Sequence, residues 1–228
     1  MNDLAQKLIE ELQCETVFTI PVLGGIPVSE AVVVTWIIMA VLVVIAFILT
    51  RNLKVDHISK RQAVAESIVT GLLNMVQGMV GEKGKAYVPY LTTVMLYIGV
   101  SNIIGLFGFK SATMDLRVTV ALALMSIILI EAAGIYHKGV KRWLHGFVEP
   151  VAIVTPINIL EVVTKPLSLC MRLFGNVLGA FVIMELLKMI LPVGLPVVFS
   201  LYFDIFDGLL QAYVFVFLTS LYIDEITE

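Results

Sequence analysis

The sequence predicts an all-α integral membrane protein with about five transmembrane helices, one amphipathic interfacial helix and two long final helices. Three observations predict it. Hydrophobic residues make up 59% of the 228-residue chain and charged residues only 14%, with a mean hydropathy of +0.99, whereas soluble domains carry roughly 25% charge. Charge-free runs long enough to cross a hydrocarbon core of about 30 Å recur along the chain. Cations gather in the links between those runs rather than within them. The net charge of −3 comes with no basic run of the kind that binds nucleic acid.

Residues 1–27 form a leader made acidic by Glu10, Glu11 and Glu15. It lacks the basic start and small-residue cleavage site of a signal peptide. Pro21 to Pro27, with Gly24 and Gly25, reads as a turn-rich link into a single transmembrane domain over 28–228. Residues 31–50 carry no charge and make the first span. Arg51, Lys54, Lys60 and Arg61 follow it, while Lys7 is the only cation in the leader. The positive-inside rule therefore places the N-terminus outside and 51–61 in the cytoplasm. Val64, Ile68, Leu72, Met75 and Met79 recur at helical spacing, so 62–80 reads as an amphipathic helix. It either lies at the cytoplasmic boundary or packs on other spans, and the two are compatible.

Ala86 to Phe109 is free of charge and crosses outward as span two. Its Asn102 needs a polar partner in lipid and reads as a packing residue. Span three, about 116–136, returns to Lys138, Lys141 and Arg142, with Glu131 near enough to its inner end to reach headgroups. The apolar run from about 144 to 190 would reach roughly 70 Å as one helix, so it tilts strongly or breaks. Pro192, Gly194 and Pro196 make the next turn, and the last helix covers about 197–224. Five crossings then leave the C-terminus in the cytoplasm. Cys14 and Cys170 fit neither a disulfide framework nor a metal site, and both read as unpaired.

From Pro166 to Met184 the only charge is Arg172. A guanidinium stays protonated, and holding it at bilayer depth costs from about 2.5–3.5 kcal/mol upward, so it normally faces water or a partner charge. The stretch Ser168-Leu169-Cys170-Met171-Arg172-Leu173-Phe174-Gly175-Asn176, after Lys165-Pro166, resembles the signature of subunit a of bacterial F-type ATP synthases. Thr113 to Thr119, Ser101 to Leu106 and Leu210 to Phe215 recur in family order, so the resemblance covers about residues 30–223.

The resemblance implies an ion-translocating stator subunit in the bacterial inner membrane, without ATP chemistry of its own and without a cofactor or metal. Its implied partners are a ring of c subunits, the b-subunit stalk and the lipid bilayer, within an F1Fo complex. It further implies that the last two helices lie strongly tilted across the ring, and that Arg172 separates two half-channels serving the c-subunit carboxylate. Asn176 lies one turn beyond Arg172 on the same helical face, and Gly175 and Gly179 keep that face low. Glu185 is rotated about 140° from the arginine, which suits an acid in an access channel. Asp204, Asp207 and Gln211 fall at i, i+3 and i+7 on one stripe. The resemblance sets Gln211 opposite Arg172 and Asp204 in the outer half-channel; Asp207 reads equally as channel or cap. A second group comprises Glu161, Asn158, Ser168 and Asn102. Two positions depart from the family pattern: Phe181 and Asn158 stand where glutamates are common, with Glu185 and Glu161 about one turn away.

Two other classes compete with this reading. An intramembrane enzyme needs a nucleophile–base or metal set, yet HExxH and GxSxG are absent, and His57, His137 and His145 fall in or near cytoplasmic loops. A secondary transporter usually shows repeats and paired broken helices, and none is visible.

Overall fold

The computed structural model describes residues 16–20, 26–51, 59–107, 109, 111–146, 154–190 and 194–227. Cys14, the three leader glutamates, Lys7, residues 21–25, Lys54, His57, Lys110, Glu149, Pro150, Pro192 and Glu228 lie outside them.

An antiparallel pair, β1 (Thr16–Ile20) and β2 (Ile26–Ser29), precedes the first span. The sequence reading made this stretch a leader and link, without strands. Thr16-Val17-Phe18-Thr19-Ile20 and Ile26 to Val28 are rich in the β-branched and aromatic residues that favour a pleated surface, and the Pro/Gly segment sits between the two runs. Helix α1 (Glu30–Thr50) is the first span; it buries only Ala31, Val34 and Ile38 and leaves the rest of its apolar surface outward. Helix α2 (Lys60–Met79) starts at Ser59, whose side chain accepts from the Gln62 N–H at 3.3 Å. It docks through Val76 and its neighbours, while Val64, Ile68 and Met75 of the predicted stripe remain exposed. One edge of the helix thus packs on the bundle, with Met79 of the predicted stripe against the core, while the rest of its apolar surface stays exposed.

Helix α3 (Val88–Ile103) follows a 3-10 turn at Glu82–Tyr87, and helix α4 (Leu116–Lys138) is capped by Asp115, which accepts from the Arg117 N–H at 2.9 Å. The same carboxylate accepts a buried hydrogen bond of 2.6 Å from Ser29, tying β2 to the start of α4. Thr35 and Tyr97 join α1 to α3 at 3.0 Å. Glu131 departs from expectation: its carboxylate turns inward and accepts from Trp143 Nε1 at 2.9 Å. The indole belongs to the short helix α5 (Val140–Gly146), and an unpaired indole N–H beside apolar helices would be costly, so the acid is drawn to it.

Helix α6 (Thr155–Ile190) runs unbroken for 36 residues past Pro166. At about 1.5 Å per residue it is about 54 Å long, so it lies oblique in a core of about 30 Å. The last helical run begins as α7 (Leu195–Ser200), passes through a π-helical segment at Leu201–Asp207, and continues as α8 (Gly208–Thr227). A uniform α-helix over 197–224 was expected, so the π segment is a correction. Among the described residues five helical stretches are long and apolar enough to cross a membrane: Glu30–Thr50, Gly84–Leu106, Leu116–Lys138, Thr155–Met189 and Pro196–Thr227. Helices α3, α4 and α8 form the centre of the bundle, with α6 laid along α4. The core is built by Leu91, Ile98, Ile130, Leu173, Phe215, Val216 and Ile223. Small residues let backbones approach at the crossings: a Cβ on Gly134 would lie 2.8 Å from Ile226 Cδ1.

Candidate ion pathway

Helix α6 has two unlike faces. Leu169, Cys170 and Leu173 are buried, and the free Cys170 thiol lies 3.5 Å from the Thr119 hydroxyl of α4. Ser168, Arg172, Gly175 and Asn176 point outward. Among the described residues no hydrogen bond or ion pair of the chain ends on Arg172 or Ser168. Around the positions where Gly175 and Gly179 would carry a Cβ there is open space. The arginine therefore stands on a low face, paired with no carboxylate among the described residues.

One turn beyond it, Asn176 Nδ2 donates to Gln211 Oε1 of α8 at 2.7 Å. Gln211 is 2% exposed, and its Nε2 has no hydrogen-bond partner among the described residues. The glutamine expected opposite Arg172 is joined instead to Asn176, so its link to the arginine face runs through that amide.

Asn176 and Gln211 also line a cavity of about 530 Å³, together with Asn102, Phe181, Lys188, Ser200, Asp204 and Asp207. Asp204 accepts from Ser200 Oγ at 2.8 Å, one turn earlier. Asp204 and Asp207 sit in the π-helical segment, where the 3.6-residue stripe no longer applies, yet both reach the same cavity as Gln211. Glu185 is not among the lining residues; it pairs at 2.6 Å with Lys188, which is. Phe181, where the family commonly has glutamate, lines the cavity with its ring.

Asn158 and Glu161 line a separate cavity of about 710 Å³ with Glu131, Arg142, Lys165 and Glu225. There Lys165 Nζ lies 3.1 Å from Glu225 and 3.8 Å from Glu161, and 5.2 Å above the Tyr222 ring, which ties α6 to α8. The expected polar residues thus separate into an exposed arginine face and two cavities. Sequence reasoning missed Ser200, Lys188, Ser111, Thr113 and Gly208. The first two were legible, because they sit at helical spacing from Asp204 and Glu185. The others depend on contacts between helices.

Comparison with known proteins gives the family. The family described as ATP synthase A chain matches residues 32–224. The ATP synthase subunit a of Moorella thermoacetica is 35% identical over 203 residues, covering 88% of this chain and 92% of its own length. The sodium-ion-specific ATP synthase subunit a of Propionigenium modestum is 34% identical over 215 residues, covering 87% and 74%. The ATP synthase subunit a 1 of Crocosphaera subtropica is 30% identical, covering 86% and 85%. With a family match from one end of the bundle to the other and full-length relatives at this identity, the chain belongs to the ATP synthase subunit a family.

Proposed function

We propose that the chain provides two offset half-channels to the carboxylate of a c-subunit ring, with Arg172 separating them, so that ion flow drives rotation. The observation that carries this is the unpartnered arginine on the glycine-bearing face of α6. A permanent cation at membrane depth needs a countercharge, and none pairs with it among the described residues. A carboxylate passing on a neighbouring helix meets the need, and the open space over Gly175 and Gly179 admits that helix closely.

A carboxylate moving through lipid must be neutral, because desolvation disfavours its charged form. Beside Arg172 the anion is favoured, so the group releases its ion into one half-channel and takes another from the second after moving on. The fixed positive charge also opposes a direct leak, since a second cation would meet it in low dielectric. Each elementary charge crossing the membrane is driven by about 2.3 kcal/mol per 100 mV.

The 530 Å³ cavity serves as the outer path, through Asp204 and Asp207, with Glu185 at its edge beside Lys188. Asn176 and Gln211 support the arginine face. Ser168 lies one turn before Arg172 on the rotor side, and the Glu161–Asn158 cavity lies on the cytoplasmic side. In this reading residues 1–27 are an extracytoplasmic leader and 28–228 form one channel domain, held in place by a b-subunit stalk. The transported ion is H⁺, with Na⁺ the alternative.

The test is ATP-driven quenching of a pH-sensitive dye in vesicles carrying the whole complex. Arg172→Ala is expected to abolish quenching while the complex stays assembled, and equal quenching in the variant overturns the separator role. Adding Na⁺ to the wild type identifies the ion: loss of the H⁺ signal means Na⁺ competes for the same path.

A further inference from the structure

The outer cavity depends on a side chain that belongs to neither of its acids. Asn102 ends α3 and is 5% exposed. Its Nδ2 donates to the backbone carbonyl of Gly208 at 3.0 Å, and its Oδ1 accepts from Thr113 Oγ1 at 2.8 Å. Thr113 is fully buried, and the neighbouring Ser111 hydroxyl donates to the Ser101 carbonyl at 2.8 Å, which fastens the 111–113 turn onto the end of α3. Thr113 therefore fixes which end of the amide faces Gly208.

Gly208 is the first residue after the π-helical segment; its N–H bonds to the Ile205 and Phe203 carbonyls as the wide turn closes. The approach to α3 is close at two points. A Cβ on Gly208 would lie 2.7 Å from Asn102 Cβ, and one on Gly105 would lie 3.1 Å from Asp204 Oδ1. Helix α3 thus touches the end of the π segment through Asn102, and the 3-10 turn that follows it (Ile104–Phe107) touches the acidic middle through Gly105. π segments form where the ordinary ladder is disturbed, and they frequently mark functional sites. A side-chain donor held at the Gly208 carbonyl is such a disturbance, placed where the wide turn gives way to α8.

We propose that Asn102 is a positioning residue for ion access: by holding the Gly208 carbonyl it sets the register of the π-helical turn and so keeps Asp204 and Asp207 on the outer cavity. The inference rests on the channel reading above. Phe206 gives the contrast, since it lies outside the cavity lining and is 55% exposed on the outer surface of the bundle. Without the Asn102 anchor the segment is no longer held against α3 at its Gly208 end, and it turns about its axis so that position 207 leaves the cavity.

The test uses the assembled complex in vesicles and reads register separately from conduction. Asp207→Cys and Phe206→Cys are labelled with a membrane-impermeant maleimide, with Asn102 intact and with Asn102→Leu. With Asn102 intact, position 207 labels and 206 does not. With Asn102→Leu, labelling at 207 is expected to fall at least fivefold, and passive conduction through stripped vesicles carrying the native Asp207 to fall about tenfold. Unchanged labelling at 207 in assembled complex overturns the proposal, whatever happens to conduction. If the leucine variant does not assemble, Thr113→Val carries the same test, because it removes the shorter of the two hydroxyl bonds that orient the Asn102 amide, leaving only Ser111 at 3.5 Å. Reduced label at 207 is then expected, and unchanged label overturns the proposal. A separate arm, Asp204→Asn with Asn102 intact, addresses the channel reading: undiminished conduction there removes Asp204 from the path without touching the register result.

Discussion

Arg172 and Gln211 show how differently two polar residues in adjacent membrane helices are treated. The arginine is left on an outward face, whereas the glutamine is buried and bonded through one end of its amide to Asn176. Interhelical hydrogen bonds in membranes contribute about 0.6 kcal/mol on average, too little to hold α6 on α8 unaided. The Asn176–Gln211 bond is better understood as fixing the rotation of the arginine face. Replacing Gln211 by Leu should therefore leave the amount of assembled complex nearly unchanged, yet lower ATP-driven pumping several-fold. Comparing subunit a levels with dye quenching in the same vesicles checks this. A parallel fall in both would show that the amide acts through stability instead.

At the scale of elements, the glycines separate helix faces that meet the chain's own helices from faces that meet something else. Gly134 is closed in by Ile226 and Trp143, and Gly208 by Asn102, whereas Gly175 has nothing within reach. Gly134→Leu should overpack the α4–α8 crossing, at a cost of about 1–3 kcal/mol, and reduce the amount of subunit a in the membrane. Gly175→Leu should leave that amount unchanged and block pumping, since the added side chain fills the open face that the proposed channel reading gives to the rotor. Immunoblots of membranes alongside pumping assays distinguish the two, and normal pumping by Gly175→Leu would show that this face meets only lipid. The π-helical segment belongs to this scale as well: Ser200 and Asp204 keep ordinary one-turn spacing across its start, while Asp207 and Gln211 straddle its end.

For the whole molecule, the apolar helices make a multi-pass protein of a bacterial membrane, where the chain works as a non-catalytic part of the ATP synthase complex. Lys60, Arg61, Lys138, Lys141 and Arg142 lie at the ends that the positive-inside rule assigns to the cytoplasm. A cysteine placed at the exposed Glu225 should react with an impermeant reagent in inside-out vesicles, and one placed at Asn2 should react only in right-side-out cells. The reverse pattern would invert the topology and exchange the inner and outer cavities. The two cavities lie near opposite ends of α6, one beside Lys165 and the other beside Lys188, with the arginine face between them.

Span existence and helix type were legible in the sequence, because each depends on how residues partition between water and lipid, and composition along the chain reports that directly. The signature around Arg172 carried the family, and spacing along α6 put Asn176 on the arginine's face. The β1–β2 pair, the inward turn of Glu131 onto Trp143 and the division of polar residues between two cavities were decided only by the tertiary structure. So were the π segment at Leu201–Asp207 and the Asn102 anchor beside it. Each of these depends on which atom of one helix meets which atom of another: a glycine carbonyl, an indole N–H, a hydroxyl on a distant turn. Helical periodicity fixes the face of a helix on which a side chain lies, but the partner on that face comes only from packing, which brings together residues 106 apart in sequence in the bond between Asn102 and Gly208.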